Sequence, residues 1–238
     1  MWKSVPSLKK PIRAKHIFQF ENIPLADRAR KMLALLKREY PDAKAALNFA
    51  TPFELLVATI LSAQCTDARV NMVTPGLFRK FPTPKHFAEA DIREVQREIK
   101  STGFYRQKAE SIINSSKTIM EKFGGEVPCT MEQLLALDGV GRKTANVLLG
   151  NAFGIAGIAV DTHVKRLAQR LDFSKENNPT KIEFDLMKLF QKEDWTILCH
   201  LLMAHGRKIC IARFPKCERC VVNKLCPYAF TFGQRKEK

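Results

Sequence analysis

The sequence predicts an all-α protein of about ten short helices. Apolar residues recur at intervals of three and four in LADRARKMLALLKREYP from Leu25, in TPFELLVATILS from Thr51 and in YRQKAESIINSSKTIMEKF from Tyr105. The period-two alternation of half-buried strands is almost absent. Start and stop signals agree with the helical period. Gly124 and Gly125 close the helix that runs from Tyr105, and Thr130 with Gln133 in TMEQ forms a capping box for the next. Further on, Asn178 before Pro179 reads as an N-cap followed by proline at the first helical position. Between these elements, at AFGIAGIAV (152 to 160), the helical period lapses into a glycine-punctuated apolar stretch that ends at Asp161. That lapse marks a junction. The 238 residues suffice for one large domain or two small ones, and no internal repeat or low-complexity segment is evident.

Charge narrows the function. Forty Lys and Arg against 24 Asp and Glu leave a formal net charge of +16, with a pI near 9.7, which points to a polyanionic partner. Nucleic acid fits better than a membrane surface. No apolar run approaches the ~18 residues of a spanning helix, and the basic residues are dispersed rather than gathered on one amphipathic helix. The opening MWKSVPSLKKPIRAK is basic and carries Pro6 and Pro11 but lacks the apolar core of a secretory signal, so an intracellular protein with a loose basic arm is expected. Seven cysteines, four of them between 210 and 226, do not resemble the even framework of a secreted domain.

Two stretches carry chemistry. The first is LDGVGRKTANVLLG (137 to 150), which reads as a helix over 130 to 137, a hairpin over 138 to 141 and a helix from 142. Gly139 and Gly141 suit a tight turn that a partner can approach closely. Such a turn presents backbone N–H groups at a helix N-terminus, where a phosphate oxygen binds without sequence readout. A plain interhelical turn has the same spacing, and only the charge of the chain favours the phosphate. Lys143, just inside the second helix, suits either of two roles. It is a phosphate contact, or it is a partly desolvated amine that attacks a sugar carbon and forms a Schiff base.

The second stretch holds Cys210, Cys217, Cys220 and Cys226, spaced C(x6)C(x2)C(x5)C and interleaved with Arg213, Lys216 and Arg219, with Arg207 and Lys208 upstream. Four thiolates so close can enclose one metal centre, either a four-cysteine zinc site or a 4Fe-4S cluster. Zinc sites favour two C(x2)C pairs, and the single pair here leans toward the cluster. Cys65, Cys129 and Cys199 stand apart as ordinary small apolar residues.

Taken in order, LSAQCTDARVN (61 to 71), GEVP (125 to 128), LDGVGRKTANVLLGNAFG (137 to 154), IAVDTHVKRLAQRL (158 to 171), HGRKICIARFPKCERC and LCPY resemble the endonuclease III family of helix-hairpin-helix DNA glycosylases. The likeness spans about residue 25 to 230 and implies two helical domains with a DNA cleft between them. One is a six-helix barrel with the hairpin (45 to 155), and the other is a cluster domain built from 24 to 44 plus 156 to 230. A basic arm (1 to 23) and a basic tail (231 to 238) flank them. The family's activity would make this a bifunctional glycosylase and abasic-site lyase that removes oxidised pyrimidines from duplex DNA. It would be a monomer, with no membrane partner, cytoplasmic and nucleoid-associated in a bacterium. By the same resemblance Lys143 is the Schiff-base nucleophile, Asp161 its carboxylate partner, and Cys210, Cys217, Cys220 and Cys226 hold a 4Fe-4S cluster. Gln64 and Phe104 fill the gap left by the everted base, and Gly139, Val140, Gly141, Arg142 and His163 contact DNA. Two positions depart from the pattern: Phe104 stands where leucine is common, and Asp138 where proline usually precedes GVG.

Chemistry supports the pairing. Cleaving an N-glycosidic bond develops positive charge on the sugar, which a carboxylate at Asp161 stabilises while an amine captures C1′. Asp161 equally suits an N-cap for THVKRL, and both roles are compatible. Adenine-removing and mismatch-specific relatives lack a lysine at the position of Lys143, which counts against them. A non-catalytic DNA-binding module would explain the charge and the glycines but not Lys143 and Asp161 together.

Overall fold

The computed structural model describes residues 23 to 231, so residues 1 to 22 of the expected basic arm and 232 to 238 of the tail lie outside the described residues. Eleven α-helices succeed one another among the described residues, with no strand. They are α1 (Leu25–Glu39), α2 (Pro52–Leu61), α3 (Asp67–Lys80), α4 (Pro84–Ala88), α5 (Ile92–Ile99), α6 (Tyr105–Phe123), α7 (Met131–Leu135), α8 (Arg142–Ala152), α9 (Thr162–Arg170), α10 (Pro179–Leu189) and α11 (Trp195–Lys208).

The caps work as their residue types dictate. Thr51 Oγ1 accepts from the Glu54 amide at 3.1 Å, and Glu54 reaches back to the Ala50 amide at 2.6 Å, which starts α2 with Pro52 at its first position. At α7 the Gln133 amide donates to Thr130 Oγ1 at 3.3 Å, and the Thr130 hydroxyl donates to Gln133 Oε1 at 3.0 Å. Asn178 Oδ1 accepts from the amides of Thr180 and Lys181 ahead of α10. Gly124, in the left-handed region, closes α6.

Contacts divide the chain into two units. Among the described residues one comprises 43 to 161 and 191 to 200; the other comprises 23 to 42, 162 to 190 and 201 to 231. The expected division differs from these units at 43 to 44, 156 to 161 and 191 to 200.

In the first unit the core gathers around α2, where every residue from Leu55 to Leu61 is buried. A helix that is apolar all round belongs at the centre of a bundle. Val70 and Leu77 of α3, Phe87 of α4, Val95 and Ile99 of α5, Ile112 and Ile119 of α6, and Leu148 of α8 complete the cluster. In the other unit α1 buries Ala29, Met32, Leu33 and Leu36, and α9 buries Val164, Leu167 and Ala168. Phe173 and Phe190 pack edge to face there, with ring centroids 5.1 Å apart.

Candidate active site and DNA-facing loops

The hairpin is built by α6 as much as by its own glycines. Gly139 has φ +72°, and a Cβ at that position would come within 2.9 Å of Ser111 Cβ, so both backbone conformation and space require glycine. Ser115 donates to the carbonyl of Asp138 at 2.6 Å, and Asn114 donates to the Asp138 carboxylate at 3.1 Å. Three residues of α6 thus hold the turn, and the carboxylate that departs from the family's proline is tied down by an amide. Gly141 differs from Gly139. Its φ of −96° is ordinary extended backbone, and a Cβ there would meet nothing within 4 Å. The space over Gly141 is open, so neither backbone conformation nor crowding requires a glycine there. Val140 turns its side chain into the core, and its amide donates to the Leu137 carbonyl at 3.3 Å, which anchors the turn from beneath.

Arg142 and Lys143 open α8 immediately after Gly141. Lys143 is exposed and Arg142 is half-buried. One turn further along α8, Asn146 is buried and donates through Nδ2 to the carbonyl of Ile158 at 2.9 Å. A Cβ on Gly157 would lie 2.6 Å from Asn146 Oδ1, so glycine is what lets the two segments come this close. Ile158, Ala159 and Val160 are buried behind this contact, and Asp161 comes next, half-buried, directly before α9. The helix that carries Lys143 and the segment that ends at Asp161 are therefore laced together within one unit. Neither Asn146 nor Gly157 was picked out from the sequence. The AN after GRKT and the glycine in GIAV were their only signals.

Two loops of the same unit present residues in unusual backbone states. Gln64 lies just past the end of α2 with φ +53° and is exposed; Phe104 precedes α6 with φ +47° and is 62% exposed. Left-handed conformation costs a side-chain-bearing residue roughly 1–2 kcal/mol, and a large aromatic left in water forgoes its burial. Beneath them Lys108 of α6, only 5% exposed, donates from Nζ to the carbonyls of Leu61 and Thr102, both at 2.8 Å. Burial lowers its affinity for a proton from the usual lysine value, and Cys65 nearby acts the other way.

The four cysteines lie in the other unit, on the chain after α11. Cys210, Cys217, Cys220 and Cys226 line one recess beside Arg170 and His205. Among the described residues no three Cys, His, Asp or Glu side chains converge as a single-ion site. Burial pushes the thiols of Cys220 and Cys226 up to about 12 and raises Cys217, and the neighbouring sulfurs add to each rise. Backbone bonds from Val222 and Asn223 to Cys220, from Tyr228 to Cys226 and from Phe230 to Cys217 pull the other way. Four sulfurs lining one recess, Cys226 buried and the other three half-buried, need compensating positive charge if they are thiolates, and the backbone bonds to Cys217, Cys220 and Cys226 favour that form. Such a donor set fits a metal–thiolate centre.

Side chains that the motifs did not single out brace this loop. Arg166 donates to the carbonyls of Gly206 (2.9 Å) and Cys210 (3.0 Å), and Arg170 donates to those of Ile211 (2.8 Å) and Ala212 (2.6 Å) and to Cys210 Sγ at 3.4 Å. His205, 1% exposed, stands 3.3 Å from Cys220 Sγ through Nε2 and 2.9 Å from the Tyr40 hydroxyl through Nδ1. His163 packs its ring against Gly206 and lies 3.2 Å from the Arg166 guanidinium, a position inside the support of the loop. Arg207, Lys208, Arg213, Lys216 and Arg219 are all exposed around it. Of the three remaining cysteines, Cys199 is buried and Cys65 packs against the core, as expected for small apolar residues. Cys129 is exposed, because it sits in the turn just before the α7 cap, and the apolar expectation fails there.

A hairpin open over Gly141, a lysine on the next residue but one and a thiol-lined basic loop define a helix-hairpin-helix DNA repair protein. The comparisons agree: the HhH-GPD superfamily of base excision DNA repair proteins matches residues 57–192. The chain is 53% identical to endonuclease III of Synechocystis sp. over 203 residues, which is 85% of this chain and 93% of that protein. It is 45% identical to endonuclease III of Bacillus subtilis over 200 residues, 84% and 90% of the two chains. A solved structure of a trapped endonuclease III–DNA covalent intermediate superposes with a TM-score of 0.81 at 42% identity, over 84% of this chain and 95% of that one. The chain belongs to the endonuclease III family of the HhH-GPD superfamily, and its activity is that of a DNA glycosylase and abasic-site lyase. The resemblance carried by the motifs is borne out over most of the length.

Proposed function

We propose that the chain removes oxidised pyrimidines from duplex DNA with Lys143 as nucleophile and Asp161 as its carboxylate partner, and then cuts the strand. The observation that carries this reading is the lacing of α8 to the Asp161 segment through Asn146, which keeps both groups on one rigid part of the first unit. The Lys143 amine attacks C1′ of the damaged nucleotide, and the electron pair of the N-glycosidic bond leaves with the base. The carboxylate of Asp161 stabilises the positive charge that develops on the sugar and takes the proton that the attacking amine must lose. The sugar ring then opens: the C1′–O4′ bond breaks, O4′ takes a proton and the amine nitrogen becomes a C1′ imine. This acidifies C2′–H, loss of that proton expels the 3′ phosphate, and water later hydrolyses the C=N bond to free Lys143. A covalent endonuclease III–DNA intermediate, as in the structure above, fits this chemistry.

Gln64 and Phe104 enter the space the everted base vacates, since their loops hold them out in solvent at positive φ. The amide edge of the hairpin and the open face of Gly141 seat a backbone phosphate. Exposed cations around the cysteine loop extend the phosphate contacts without reading sequence. The protein acts as a monomer at the chromosome inside the cell. Among the described residues no helix is long and apolar enough to cross a membrane.

Cys210, Cys217, Cys220 and Cys226 would hold a 4Fe-4S cluster. When bound, the cluster supplies iron–thiolate bonds that cross-link the loop, and the reaction at C1′ does not pass through it. A thiolate only accepts hydrogen bonds, so with Cys220 as ligand His205 donates through Nε2 and its Nδ1 accepts from Tyr40.

Borohydride trapping on a duplex with one thymine glycol tests the reading. A covalent protein–DNA band is expected with the wild type and not with Lys143→Gln, while Asp161→Asn slows base release far more than it weakens binding. A band that survives Lys143→Gln removes Lys143 from the nucleophilic role.

A further inference from the structure

The ammonium of Lys108 occupies a place that neither the glycosidic chemistry nor the hairpin uses. It is almost wholly buried, its Nζ contacts no carboxylate among the described residues, and both of its side-chain bonds go to main-chain carbonyls. Those carbonyls are not arbitrary. Leu61 is the last residue of α2, so its carbonyl is one of the orphan acceptors at the negative end of that helix, where a cation is favoured. Thr102 ends the short 3-10 turn over Lys100–Thr102. Three residues after Leu61 stands Gln64 at φ +53°, and two residues after Thr102 stands Phe104 at φ +47°. Gly103 between them is also at positive φ. The main chain of Lys108 adds a third link, since its amide donates to the Phe104 carbonyl at 3.1 Å.

We infer that Lys108 is a positioning residue for base eversion: one buried ammonium ties together the roots of the two loops and holds Gln64 and Phe104 at a set separation. An inserted wedge works only if its backbone does not yield when the stack pushes back, and strained residues persist only where the surroundings over-determine them. A neutral apolar side chain at this position would leave two buried carbonyls without donors, so each loop root would be free to relax toward water. An arginine carries the charge but places its donors in a wider planar fork, which does not reproduce two bonds from one nitrogen.

The inference rests on the proposed eversion role of Gln64 and Phe104, and the test separates the two. Lys108→Met, Lys108→Arg, Gln64→Ala, Phe104→Ala and wild type are compared on an abasic site placed first in a duplex and then in a single strand, which has no stack to open. The fluorescence of 2-aminopurine opposite the site reports unstacking in the duplex. For Lys108→Met the ratio of duplex to single-strand lyase rates should fall about tenfold or more, within the hundredfold that a 1 Å misplacement can cost, and the 2-aminopurine signal should fall with it. Lys108→Arg should recover only part of the ratio.

A purely structural role would lower both rates together and leave the ratio at the wild-type value, which would overturn the inference. If the ratio falls for Gln64→Ala and Phe104→Ala but not for Lys108→Met, the eversion reading stands and the role of Lys108 is lost. If neither alanine variant moves the ratio, the eversion reading itself fails, and the inference fails with it. Should Lys108→Met not fold by circular dichroism, Lys108→Gln, whose shorter, uncharged stem stops short of the place the Nζ holds between the two carbonyls, is read by the same ratio: a fall supports the inference, and a ratio at the wild-type value overturns it.

Discussion

Asn146 donates a hydrogen bond of 2.9 Å to the carbonyl of Ile158, and Gly157 leaves the room that this side chain fills, with 2.6 Å between its missing Cβ and Asn146 Oδ1. The pair joins the helix of Lys143 to the chain that delivers Asp161. Asn146→Ala leaves a buried carbonyl unsatisfied and should cost about 1–3 kcal/mol of stability. Gly157→Ala should cost a comparable amount through the clash, but much less once Asn146 is alanine, because the atom it meets is gone. Chemical denaturation of the two single variants and the double variant measures the coupling. Additive losses would show that the two residues do not share one contact.

The hairpin glycines should respond differently to the same change. Gly139→Ala combines left-handed strain of roughly 1–2 kcal/mol with the 2.9 Å approach to Ser111, and should lower the melting temperature. Gly141→Ala meets nothing and adopts ordinary backbone, so its stability should change by no more than about 0.5 kcal/mol. Its loss should appear instead as weaker binding to an undamaged duplex, since a methyl group there stands where a phosphate approaches. Binding measured against salt concentration separates a lost phosphate contact from lost fold.

The cysteine loop should stand or fall with its metal. The purified protein should carry about four iron atoms per chain and a visible absorbance band, and stoichiometric zinc in their place would overturn the cluster. Cys217→Ser should lose iron, and duplex affinity with it, because the exposed cations Arg213, Lys216 and Arg219 are presented by the loop the four sulfurs close. Retained affinity without iron would detach the loop from DNA binding.

Acid should destabilise the first unit through His200. Its Nε2 lies 2.9 Å from Asn151 Oδ1, its Nδ1 is buried with no hydrogen-bond partner, and burial lowers the imidazole below its ordinary value of 6.5. A folded pKa below the unfolded one means the unfolded chain binds the proton first, so the contribution is complete above pH 6.5 and is lost as pH falls through the folded value. Each tenfold difference in proton affinity between the two states is worth about 1.4 kcal/mol. Denaturation at pH 7 and pH 4.5 measures the loss. His200→Gln should flatten the dependence over that range, and an unchanged slope would assign the acid sensitivity elsewhere.

The helices were legible because their signals are local. Thr51, Thr130 and Asn178 each cap the helix after them, Gly124 closes the helix before it, and the apolar period marks the faces that the core covers. The chemistry-bearing residues were legible because spacing on one stretch of chain announces them: Lys143 after the two glycines, and four cysteines between 210 and 226. Exposure was not. Lys143 lies in solvent and Cys129 lies on the surface, since burial depends on which distant segments come to lie over a residue.

The sequence by itself determined the helical class, the family, the proposed nucleophile and the thiols proposed to bind metal, all of which are written in short runs of neighbouring residues. Only the tertiary structure decided what holds them: Asn146 on Ile158, Ser111 beneath Gly139, Arg170 at Cys210, His205 between Tyr40 and Cys220, and Lys108 under two loops. The first of these contacts joins residues 12 positions apart and the longest joins residues 165 apart. A hydrogen bond acts over about 3 Å whatever the separation along the chain, so no local pattern records it until the fold brings donor and acceptor together.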